Sequence, residues 1–209
     1  MRAGKVLVVL AALVALARPA DAASVLFYFD GGPLHGGTPL TQVAGGVTAL
    51  FTGAGLGYSI QAADVLGFTP VGFSGFVLYP NSIYLSDLSI AFDRPLTDIS
   101  LLYAPEEYAT DSSATIRVTA YSGGVVVGTN TATANPGTWP TATLAFSSAQ
   151  PFDNVVVHYD APPPTGGDYG PIFMVDNVSV TTVPEPSAIA AGSLGLVVLG
   201  LMRRRRTLS

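Results

Sequence analysis

Residues 114–121 alternate so cleanly that they read as a strand with one dry face. Ala114, Ile116, Val118 and Ala120 fall on one side, and Thr115, Arg117, Thr119 and Tyr121 on the other. The same period of two recurs at 24–29, 83–92, 97–103, 124–130, 141–146, 154–159 and 172–180. No stretch of the interior places apolar residues at the spacing of a three-turn amphipathic helix. About eight short strands without covering helices predict an all-β domain, an antiparallel β-sandwich of jelly-roll form. Ser122-Gly123-Gly124, Asp93-Arg94-Pro95 and Gln150-Pro151-Phe152-Asp153 supply turn signals between runs. Residues 31–75 are rich in Gly and Thr and hold no sustained period, which leaves short strands, a long loop or a helical turn at 61–66 all open. Residues 161–170, with three consecutive prolines and three glycines, read as a surface excursion.

Both ends of the chain follow a different logic. Arg2 and Lys5 precede an apolar core at 6–17 and the small residues of Ala20-Asp21-Ala22, which predicts a signal peptide over 1–22, helical before its removal. Residues 23–182 are then the β-sandwich domain, and 183–209 a separate tail. In that tail Val183, Pro184, Glu185 and Pro186 lead into an uncharged apolar run and then Arg203, Arg204, Arg205 and Arg206. As a helix the run spans about 22 Å against a hydrocarbon core of about 30 Å, which suits a transient membrane-spanning stop better than a lasting anchor. The arginines place Ser209 in the cytoplasm and the domain outside. Pro184 and Pro186 hold an extended segment with Glu185 as a charged handle at the membrane boundary.

This order of motif, apolar helix and Arg cluster resembles the PEP-CTERM sorting signal of exported proteins in Gram-negative bacteria. The resemblance covers 183–209 and implies an exosortase-type processing enzyme as partner, with cleavage near the motif. It also implies contact with the inner membrane through the C-terminal helix before processing. Delivery to the cell surface or to an exopolysaccharide matrix such as a biofilm follows from the same likeness.

Setting the two ends aside changes the charge balance. Between Ala23 and Val183 twelve acids face only two bases, Arg94 and Arg117, a net charge near −10 where the whole chain carries −5. Nucleic acid is excluded as a partner, because a phosphate backbone needs cations to neutralise it. The chain has no cysteine, so an exported domain must be stabilised by burial, or by a metal ion.

Residues 89–95, 97–102, 116–121 and 173–178 together resemble the galactose-binding-like jelly rolls found among carbohydrate-binding modules. That resemblance implies adjacent first and last strands, where carboxylates help to hold a structural calcium; Asp30 and Asp176 occupy those places. Without an ion, Asp30 starts the Asp30-Gly31-Gly32 turn, and Asp176 with Asn177 kinks or caps a strand. Trp139, Tyr103 and Tyr169 are candidates for stacking on a sugar, Trp139 having a place in the core as its alternative. His35 and His158 have no partner at metal or catalytic spacing, and His158 reads as an outward-facing strand residue. Glu106, Glu107 and Asp111 form an acidic loop, and Gly53, Gly55 and Gly57 lack the spacing of a phosphate loop. Nothing here points to catalysis. Three functions are weighed: a structural or adhesive surface protein, a carbohydrate-binding module for exopolysaccharide, and a hydrolase for which no catalytic constellation appears.

Overall fold

A computed structural model of the chain describes residues 22–65, 67–82, 87–105, 115–134, 140–161 and 172–184. Residues 1–21 of the expected signal peptide, the apolar run expected to form a tail helix, Glu185, Pro186 and the Arg cluster lie outside the described residues, as do Trp139, Tyr169 and the acidic residues at 106–111. Among the described residues there is no helix, and every strand pairing is antiparallel. All ten strands belong to the unit Ala23–Val183.

Two long, bent strands organise the fold. β6 (Leu88–Pro105) and β9 (Ala142–Ala161) pair with each other along both halves, with register shifts between Ala91 and Leu96 and between Leu96 and Asp98. The first half of β6 carries β3 (Val47–Gly53), which carries β2 (Leu40–Ala44), while the second half of β9 carries β7 (Thr115–Ser122) and then β8 (Val125–Thr133). These strands make the first layer. The second half of β6 carries β10 (Phe173–Thr182), whose far edge is shared by β5 (Phe76–Pro80) and β1 (Ser24–Phe27), with β4 (Tyr58–Ala62) beyond β5. These make the second layer.

Two expected turns are therefore not turns. At Asp93-Arg94-Pro95 and at Gln150-Pro151-Phe152-Asp153 the chain remains in strand and crosses from one layer to the other. Proline withdraws a ladder donor at each bend, which lets the strand change partners without closing a hairpin. Residues 31–75 hold β2, β3 and β4, and β4 occupies the start of the segment where a helical turn was one expectation.

The two inner faces bury one core. Leu88, Ile90, Leu96, Val155, Val157, Phe152 and Val175 are all fully enclosed. Phe51 of β3 meets Phe27 edge-on at 6.2 Å and Phe29 at 5.4 Å, joining the layers where β1 and β3 come together. A second cluster, Ala63, Phe73, Val77, Ala104 and Met174, lies on the other side of the second layer, beneath the segment between β4 and β5. That segment covers part of the second layer's outer face. No comparable cluster covers the outer face of the first layer among the described residues.

Candidate functional site

Strand alternation and register fix what the first layer presents to solvent. In β7 the buried residues are Ile116, Val118 and Ala120, so Arg117, Thr119 and Tyr121 face outward. In β9 Val155, Val157 and Tyr159 are buried, which turns Asn154, Val156, His158 and Asp160 the same way. Register then aligns them in rows across the sheet. Tyr121 stands opposite Asn154, Asn154 opposite Ala91, and Ala91 opposite Leu50. Thr119, Val156, Ser89 and Thr52 form the next row, and Arg117 and His158 the third.

Two side-chain pairs close the third row. Arg117 Nη1 lies 2.7 Å from Asp160 Oδ1, and His158 Nδ1 lies 2.6 Å from Oδ1 of Asp87, the residue just before β6. Each of these side chains keeps about a third of its surface open to solvent. Ion pairs so exposed contribute on the order of 0–1 kcal/mol, so stability is a weak reason for putting one of the domain's two arginines here. What the pairs do is hold planar donors and acceptors in fixed mutual positions. Asn154 Nδ2 lies 3.4 Å from Ser89 Oγ and extends the polar strip toward Tyr121. The strip from Asn154 to Asp160 runs about 20 Å along β9. It combines an aromatic ring, hydroxyls, an amide, a guanidinium and two carboxylates.

His158 faces outward as its strand position implied, and its partner Asp87 is 71 residues away in sequence. No local spacing could have joined them, because the contact depends on the register between β6 and β9. Arg117 was visible on the polar face of its strand. Its pairing with Asp160 was not.

Asp30 and Asp176 do come together. Asp30 stands in the turn closed by the bond from Gly32 N–H to Phe29 C=O at 3.0 Å, and its Oδ1 accepts the Phe76 N–H at 2.6 Å. Asp176 is buried where β10 passes from β5 to β1, beside Asn177, whose φ of 51° and the following register shift form a bulge. Its Oδ1 accepts the Asn177 N–H at 2.8 Å and its Oδ2 the Asn177 side-chain amide at 3.3 Å. Burial, with a smaller contribution from the negative charge of Asp30, pushes the Asp176 carboxyl up to about 6 even though the Asn177 N–H works the other way. Calcium requires six to eight oxygen ligands. Three of the four carboxylate oxygens here already accept N–H donors, and no third acidic residue or histidine joins the pair among the described residues. As they stand, these groups do not make a calcium shell; they lock a strand junction.

Tyr103 is a correction to the expected sugar contacts. Its ring is fully buried and its hydroxyl donates to the Ala132 carbonyl at 2.9 Å, so it stitches the core instead of facing a ligand. Burial raises its phenol far above the usual range. His35 sits in an exposed turn with φ of 67°, its N–H bonded to Ile60 C=O at 2.8 Å. A separate open cleft of about 370 Å³ lies between β1 and β2, lined by Leu26, Tyr28, Pro33, Leu40 and Val43. Gln42 Nε2 bridges the two strands to Tyr28 C=O at 3.3 Å.

No family model matches the chain, and no curated protein does. Among solved structures it is similar to the K2 cleaved adhesin domain of Lys-gingipain, at 16% identity over 77% of this chain and 100% of that one, with a TM-score of 0.46. It is similar to a carbohydrate binding module of family 29, at 12% identity over 78% of this chain and 90% of that one, TM-score 0.36. It also spans 31% of the Agl-KA catalytic domain, at 16% identity over 78% of this chain and a TM-score of 0.41. The likenesses are remote, and function has to be sought in the chain's own residues.

Proposed function

We propose that the domain is an exported polysaccharide-binding β-sandwich of jelly-roll form, delivered to the cell surface or extracellular matrix by its tail and without catalysis of its own. The observation that carries the binding reading is the outer face of the first layer, where Arg117–Asp160 and His158–Asp87 stand in line with Tyr121 and Asn154. Fixed planar polar groups beside an aromatic ring suit a ligand made of hydroxyls and flat apolar ring faces. An exosortase-type enzyme is the partner implied by Val183, Pro184, Glu185 and Pro186 followed by the apolar run and the four arginines. The inner membrane is a contact only until that enzyme acts. A structural or adhesive role in the matrix is compatible with this reading, since binding exopolysaccharide would itself hold the protein there.

Native gel electrophoresis of Ala23–Val183, the unit that contains every strand and the core, in gels loaded with polysaccharide tests the binding half. The mobility of the wild type falls in at least one polymer, and Tyr121→Ala restores part of it. Unchanged mobility in every polymer contradicts the reading.

A further inference from the structure

We infer that the outer face of the first layer selects neutral polysaccharides rich in adjacent hydroxyls and rejects polyanionic ones. This rests on the polysaccharide-binding reading above and names the ligand class of the same face.

Charge decides it. A polymer of uronates or sulfate esters needs unpaired cations, as any polyanion does. The arginine and the histidine that the described residues place on this face, however, each already meet a carboxylate: Arg117 meets Asp160 at 2.7 Å and His158 meets Asp87 at 2.6 Å. The two pairs thus carry no net positive charge. Asp153 lies at its other end, its Oδ2 accepting the Gly123 N–H at 3.2 Å, and the domain as a whole holds twelve acids against two bases. An acidic chain would approach a repelling field with no free countercharge at the end of it.

Hydroxyls meet different terms. The guanidinium of Arg117 keeps N–H donors beyond the one facing Asp160, and the second oxygens of Asp87 and Asp160 accept. The Arg117–Asp160 pair therefore offers a donor beside an acceptor, the pattern that two neighbouring hydroxyls of one sugar can satisfy together. Tyr121, at the Asn154 end of the strip, supplies the apolar platform for a ring face. A strip about 20 Å long admits several consecutive sugar rings.

Affinity electrophoresis of Ala23–Val183 in dextran, mannan and xylan, and in alginate and polygalacturonate, at low and at high salt, tests the assignment. Retention by at least one neutral polymer, nearly unchanged by salt and weakened about tenfold in both Arg117→Gln and Asp87→Asn at unaltered Tm, is the expected result. Preference for alginate or polygalacturonate, lost at high salt, overturns the ligand class while leaving binding itself intact. Neutral retention indifferent to Arg117→Gln, Asp87→Asn and Tyr121→Ala overturns the face. No retention by any of the five overturns this inference and the reading beneath it together.

Discussion

At the scale of single residues, the junction around Asp176 carries the sharpest pH dependence. Its carboxyl titrates near 6 in the folded protein against an ordinary 3.8, so the fold favours the protonated form. That contribution is complete below 3.8 and is lost as pH rises through about 6. Asp93 and Asp98 have the opposite sign. The Thr48 N–H holds the first below its ordinary value, and the Ser147 and Thr97 hydroxyls hold the second, so what they contribute disappears only as pH falls below 3.8. Between about pH 4.5 and pH 7.5 the Asp176 effect is therefore the one of these three that changes. Asp176→Asn, which keeps an acceptor for the Asn177 N–H, should gain roughly 2–6 °C in Tm relative to wild type over that interval. Parallel melting curves at both pH values would contradict the assignment. Gly75 sits at the same junction, with φ of 60° and with the position of a Cβ already taken by the Asp30 carboxylate. Gly75→Ala strains the backbone and displaces the acceptor of the Phe76 N–H, and should cost about 1–3 kcal/mol in denaturant unfolding.

At the scale of elements, the sandwich is held along its open sides by carboxamides as well as by apolar packing. Gln42 reaches from β2 to a carbonyl beside β1, and Asn130 of β8 donates to Ala145 C=O of β9 at 2.7 Å. These side chains satisfy backbone acceptors on strands that no ladder joins at those places. Asn130→Ala should cost about 1 kcal/mol and speed amide exchange in β8 and the first half of β9, leaving β3 unchanged. Exchange that rises equally everywhere would make the bond incidental. Much of this level was readable beforehand, because β7, β8 and β10 advertise themselves by period alone. The two halves of β6 and of β9 were just as visible, but their continuity was not: Pro95 and Pro151 look like turns in any local window, and only pairing with a second strand on both sides of the bend keeps the chain extended. β2, β3 and β4 were harder because glycines at 45, 46, 53, 55 and 57 interrupt their period. The site divides the same way. Arg117, Tyr121 and His158 could be put on outward faces from alternation, while Asp87 and Asp160 acquire meaning only from register.

For the whole molecule, charge is divided unevenly along the sequence. Residues 1–22 and 184–209 hold seven of the nine bases, which leaves residues 23–183 acidic, with Arg117 on the first layer's outer face paired to Asp160. Intact mass of the protein from cells that have the processing enzyme should show a chain starting at Ala23 and ending near Pro184 to Pro186. A full tail with Arg203 to Arg206 in the membrane fraction of those cells would refute the sorting proposal. The central claim concerns the face itself, and backbone amide NMR of Ala23–Val183 titrated with a retained neutral polysaccharide tests it most directly. Shifts concentrated on residues 117–121 of β7 and 154–160 of β9 are the predicted result; shifts confined to the cleft between β1 and β2, or no shifts at all, would contradict it.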